Sequence, residues 1–72
     1  MTISYRIFET DSGYTLIESG GRTYAEEDLC DSIWLISKEL RGAYLPKRER
    51  NEARKWIKQY EELLSALRSV GA

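Results

Sequence analysis

The stretch from Lys47 to Val70 decides most of what this chain can become. Ala53, Trp56, Ile57, Tyr60, Leu63, Leu64, Leu67 and Val70 recur at steps of three and four, the period of one helix face. Pro46 stands just before it, where a missing N–H costs nothing in a first helical turn. The spacing predicts one amphipathic helix of roughly 35 Å, at 1.5 Å per residue. A third of a 72-residue chain is thus committed to one rod. Everything else must be built onto it.

The first 25 residues have a different period. From Thr2 to Glu9, Ile3, Tyr5 and Ile7 alternate with Thr2, Ser4, Arg6 and Phe8, the pattern of a half-buried strand. Thr10-Asp11-Ser12-Gly13 reads as a turn, and Tyr14–Glu18 as a second strand, so the two form an antiparallel hairpin. Gly20-Gly21 is a favoured two-residue turn that leaves room for a very short third strand, Arg22–Tyr24.

A helix is predicted from Tyr24 to about Arg41. Thr23 and Glu26 have capping-box spacing, and Glu26, Glu27 and Asp28 favour the positive end of the helix dipole. Lys38 and Arg41 sit at the other end, with Gly42 placed for a C-terminal cap. The main apolar stripe is Leu29, Ile33, Ile36 and Leu40. Trp34 and Leu35 fall to either side of it, so the middle of this helix is apolar most of the way round. Gly42-Ala43-Tyr44-Leu45-Pro46 is read as the loop between the helices.

The expected fold is therefore α+β: an N-terminal antiparallel β-hairpin of two or three short strands, then two α-helices, the second long and amphipathic. Residues 1–72 make a single domain. At this size only about 60% of the unfolded surface is buried on folding, and small domains commonly need a staple. Cys30 is the only cysteine and there is no histidine, so an intrachain disulfide and an ordinary zinc site are both excluded. No cofactor or metal is expected. Self-association as a homodimer is the expected support, through apolar surface on both helices. The free cysteine and the lack of an apolar leader predict a cytoplasmic protein, and no apolar run approaches the ~20 residues of a membrane span.

Charge is distributed unevenly. Lys47–Lys58 carries six basic residues against two acids, while the residues before Lys47 carry four against eight. Such asymmetry points to a charged partner. Lys47, Arg50, Arg54 and Lys58 project along one edge of the second helix, and Arg50, Arg54 and Lys58 are spaced i, i+4, i+8. Like charges at that spacing repel, which an anionic partner would offset. Pairing with Glu49, Glu52, Glu61 and Glu62 on a solvated face is the plainer reading. Glu26, Glu27, Asp28 and Asp31 are the second candidate, as an acidic docking surface or simply as complements to a helix dipole. Their spacing is not that of a calcium loop. Phe8 is the third, an aromatic on the strand face opposite Ile7.

Other features lead nowhere specific. Gly20-Gly21-Arg22-Thr23 is too short for a phosphate loop, and the acids that follow would repel an anion. Cys30 lies between acids with no histidine to activate it, so it reads as a small core residue. Without histidine the commonest general base is missing. The expected function is non-enzymatic: binding of another protein, as an inhibitor or adaptor of a larger complex that processes nucleic acid or does other work. Small proteins of phages and mobile elements often have this make-up. The alternative is a DNA- or RNA-binding regulator using the basic second helix, against which the pI of 5.4 argues.

Overall fold

The computed structural model describes residues 4–42 and 44–71. Three strands precede two helices: β1 (Arg6–Glu9), β2 (Thr15–Ser19), β3 (Arg22–Tyr24), α1 (Glu26–Gly42) and α2 (Lys47–Gly71). The sheet is antiparallel in the order β1-β2-β3. This is the α+β arrangement of hairpin, third strand and two helices that the sequence patterns predict.

Both turns follow from their residues. Between β1 and β2, the Gly13 N–H donates to the Thr10 carbonyl (2.9 Å) and the Tyr14 N–H to Thr10 Oγ1 (3.1 Å). Between β2 and β3, Gly20 and Gly21 have φ of 60° and 80°. Positive φ at both central residues is the condition for a type I′ turn, whose twist matches the flanking strands. Ser19 and Arg22 face each other across it.

Register sorts the two sheet faces. Ile7 pairs with Ile17 and Ile17 with Tyr24, giving one apolar row across all three strands. That row meets the helices. Ile17 and Leu29 are fully buried, Leu63, Leu64 and Leu67 nearly so, and Ile7, Tyr24, Cys30, Ile33, Tyr60 and Ala66 pack around them. Burying each large aliphatic side chain contributes about 1.5–3 kcal/mol. Cys30 therefore lies beside the core, as its surroundings in the sequence suggest. The opposite face carries Arg6, Phe8, Leu16, Glu18 and Thr23. There Arg6 approaches Glu18 at 3.6 Å and lies 5.3 Å above the Phe8 ring.

Element boundaries differ from expectation in instructive ways. β1 begins at Arg6; Ser4 and Tyr5 are not in the ladder, and Thr2 and Ile3 lie outside the described residues. Tyr24 ends β3 instead of opening α1. The capping box expected at Thr23 and Glu26 is not formed, because Thr23 is held in β3 opposite Glu18. The cap sits two residues later: Asp28 Oδ2 accepts from the Ala25 N–H at 3.0 Å, the reciprocal half of the same motif. Gly42 is the last residue of α1 and has no left-handed conformation. Of the expected loop, Ala43 lies outside the described residues. Trp56 and Val70, assigned to the apolar face of α2, are more than half exposed.

The two helices form an antiparallel hairpin. The short connection joins them at one end, and Arg68 near the end of α2 bonds Glu26 at the start of α1 (Nε to Oε1, 2.9 Å) at the other. The strands are at most five residues long, so the sheet covers only part of the hairpin. All core residues contributed by the helices lie at 29–33 and 60–67. The described residues between Trp34 and Gln59 add none. The molecule measures 43 × 24 × 22 Å, and its radius of gyration is 13.6 Å. A compact chain of this length is expected near about 11 Å. The excess is the helical tip that projects past the sheet.

Candidate functional site

The projecting tip concentrates cations because of what it cannot do. With no sheet to pack against, the first half of α2 has only a narrow seam to cover, formed by half-buried Ala53 and Ile57. Every other residue from Lys47 to Lys58 is exposed. Lys38 to Arg41 at the end of α1 join the same region. From Lys38 to Lys55 there are seven basic residues and three acids, a net +4. The rest of the chain then carries −5, since the total is −1. The fold thus separates opposite charges along its long axis.

Lys47, Arg50 and Arg54 line a shallow groove of about 430 Å³ at the tip, together with Tyr44, Leu45 and Asn51. Tyr44 is 91% exposed. Lys58 lies further along the same edge of α2, outside this groove. Among the described residues, none of Lys47, Arg50, Arg54 and Lys58 forms an ion pair; the pairs present are Arg6–Glu18 and Arg68–Glu26. Glu49, Glu52, Glu61 and Glu62 make no ion pair with the stripe among the described residues. Nearby, Trp34 and Leu35 on α1 are exposed, with Lys38 Nζ 5.1 Å above the Trp34 ring.

The other sequence candidates are scattered. Glu26, Glu27, Asp28 and Asp31 are all exposed at the far end of α1. Two of them have structural work: Glu26 holds Arg68, and Asp28 caps α1. Arg68 is correspondingly raised above its ordinary pKa, chiefly by its hydrogen bond to Glu26. Among the described residues, no three acidic or cysteine side chains converge as a metal-ligand set. Phe8 is half-buried on the outer sheet face under the Arg6 guanidinium, away from both charged groups. The structure therefore gathers Lys47, Arg50 and Arg54 into one groove, with Lys58 further along the same edge, and leaves the acidic candidates and Phe8 on separate surfaces.

One site escaped the sequence reading. A cleft of about 370 Å³ opens between the β2–β3 turn and α2, lined by Arg22, Tyr24, Trp56, Gln59 and Tyr60 among others. Trp56 stacks on Tyr60 with ring centroids 5.8 Å apart and planes at 30°. Tyr60 meets Tyr24 edge-on, at 5.9 Å and 73°. Burial and then the neighbouring Tyr24 raise the Tyr60 pKa, against a lowering by Arg22. Trp56 and Tyr60 are one helical turn apart, which the sequence shows. That Arg22 and Tyr24 join them depends on strand register and packing, which it does not.

No family model matches the chain, and neither a curated protein nor a solved structure is significantly similar to it. Among the described residues, no helix is long and apolar enough to cross a membrane.

Proposed function

We propose that this is a non-enzymatic binding protein that recognises another protein through its helical tip, as an inhibitor or adaptor of a larger complex. The observation that carries this reading is the exposed first half of α2, where Lys47, Arg50, Arg54 and Lys58 have no ion-pair partners among the described residues and Tyr44 stands almost fully in solvent. Arginine and aromatic side chains are the residue types that dominate binding energy at protein interfaces. The partner's contact surface would be acidic, since unpaired cations set the register and speed of association with an anionic face. The single free cysteine fits a reducing, cytoplasmic setting.

A DNA- or RNA-binding regulator is the second reading, and the same unpaired stripe favours it. Its difficulty is the −5 carried by the rest of the molecule, which repels a long polyanion. One experiment separates the two. Affinity capture from the native host is run with and without nuclease, beside a variant with Arg50, Arg54 and Lys58 changed to Glu. A protein partner that survives nuclease and is lost with the variant supports the first reading. A partner lost with nuclease supports the second, and retention by the variant removes the tip from both. Sedimentation of the purified protein shows whether a second copy takes the place of an external partner.

A further inference from the structure

The cleft at the β2–β3 turn faces a different way from the basic stripe. At 100° per residue, Arg54 and Lys58 lie roughly 160° around α2 from Trp56, and Arg50 roughly 120°.

The cleft is built from flat rings and hydrogen-bond donors. Trp56 is braced from behind by Tyr60, and Tyr60 by the edge of Tyr24. Yet Trp56 itself stays 51% exposed, although Tyr60 stacks against it. The indole N–H and the guanidinium of Arg22 donate only; neither can accept. Tyr60 adds a neutral phenol, which can donate and accept. Among the described residues, Arg22 is the only charged one in the lining.

A complementary ligand would offer flat apolar rings, acceptors for the indole N–H and the guanidinium, and one negative charge. Proline-rich chain supplies the first two. Its rings lie flat on aromatic side chains, and each X–Pro amide has a carbonyl and no N–H. Its extended helix is formed before binding, so little order is lost. A neighbouring Asp or Glu supplies the third. Single-stranded nucleic acid also stacks on aromatic rings, but it brings a phosphate with every base and needs a track of cations. The cleft has one.

We propose that the cleft binds an extended, proline-rich peptide segment with an acidic side chain, its rings seated on Trp56 and Tyr60 and its carboxylate on Arg22. This is independent of the reading of the tip.

The test uses full-length protein carrying Trp34→Phe, which leaves Trp56 as the only indole. The probes are a pool of short acidic peptides with a Pro-Xaa-Xaa-Pro core, the same pool with Asn for the acid, the same pool with Ala for both prolines, and oligothymidylate. The acidic proline pool should give a saturable change in Trp56 emission. The Asn pool should bind about 10-fold more weakly, the scale of one charge-assisted hydrogen bond. Arg22→Gln should erase the difference between acid and Asn pools, with an unchanged circular dichroism spectrum as the folding control. Trp56→Ala, read by the anisotropy of a dye-labelled peptide because the variant has no indole, should weaken binding far more than Trp56→Phe, which keeps a flat ring. Three results would overturn the proposal: no saturable change up to about 1 mM peptide, equal binding of the alanine pool, or tighter binding of oligothymidylate than of any peptide pool.

Discussion

The two ends of the helical hairpin are made from the same pair of helices and live under opposite conditions. At the base, α1 and α2 meet the sheet, and Ile17, Leu29, Leu63, Leu64 and Leu67 exclude water from one another. At the tip the helices have only each other. The cause is length. A five-residue strand spans about 17 Å at 3.4 Å per residue, while α2 with its 25 residues spans about 37 Å at 1.5 Å per residue. Half of the long helix must therefore run past any cover the sheet can give. Trp34, Leu35, Tyr44 and Trp56 are consequently exposed, and the remaining tip positions fill with charge. The base holds the fold, and the tip presents a surface that folding does not use.

The sharpest way to break that division is to make the same truncation at both ends. Leu63 is 4% exposed and Leu35 is 55% exposed. Leu63→Ala should cost about 2–5 kcal/mol, because it opens a cavity among the other core leucines. That is a large share of a small domain's stability. Leu35→Ala should stay within about 0.5 kcal/mol, the usual range for a surface change. Urea denaturation of both variants measures the contrast. Equal losses would mean that the tip is a second core, closed on itself or by another chain.

A smaller effect is expected at the turn that closes the base. Gly21 has φ of 80°, where an L side chain is strained although nothing lies within 4 Å of its Cβ position. Gly21→Ala should destabilise by about 1–2 kcal/mol through backbone strain alone. Gly21→Asn should recover part of this, since Asn tolerates the left-handed region better. An alanine variant as stable as the parent would show that the β2–β3 turn is not required to hold Tyr24 in the core row.

Base and tip were not equally legible in the sequence. The period-two stretches around Ile7 and Ile17, the Gly-Gly turn, the three-strand option at Arg22–Tyr24 and both helices follow from local chemistry. They are local because hydrogen bonding and side-chain periodicity act over a few residues. What stayed hidden depends on distant neighbours. Thr23 has the right spacing for a cap, but pairing with Glu18 claims it first, and Asp28 performs the cap from inside the helix. Trp56 sits on the apolar face of α2 by period, yet the sheet ends before reaching it. The basic stripe could be read from spacing, but its lack of ion pairs could not. The aromatic cleft needed both a strand register and a helix position, and no single segment contains those.

A third test uses pH to probe the junction between base and tip, where Tyr60 links the core to Trp56. Burial, followed by Tyr24, raises the Tyr60 pKa above its ordinary 10.0, so folding favours the protonated phenol. The unfolded chain then holds fewer protons than the folded one as pH rises past the ordinary value. Its contribution to stability is fully present below pH 10.0 and is lost as pH rises through the folded pKa. The effect should be modest, because Tyr60 keeps contact with solvent. Chemical denaturation between neutral and alkaline pH should show this loss in the parent and less of it in Tyr60→Phe. An identical pH profile in the two proteins would place Tyr60 outside the packed junction.

The last predicted effect runs in the stabilising direction and bears on why the tip is basic. Arg50, Arg54 and Lys58 are i, i+4 neighbours on an exposed face, without carboxylate partners among the described residues. Each like-charge pair at that spacing destabilises a helix by about 0.2–0.5 kcal/mol, and each opposite pair stabilises it by a similar amount. Arg54→Glu replaces two repulsions with two attractions, so it should raise stability by about 0.8–2 kcal/mol at low salt. The gain should shrink at high salt, because exposed charges are screened within about 3 Å at 1 M. The same substitution should weaken capture of an acidic partner. A chain that could be more stable with one acid at position 54, yet keeps a cation there, is holding that charge for something other than its own fold. If Arg54→Glu lowers stability, Arg54 has a structural partner at the tip. If it raises stability without affecting capture, the stripe is a solvated face and the binding surface lies elsewhere.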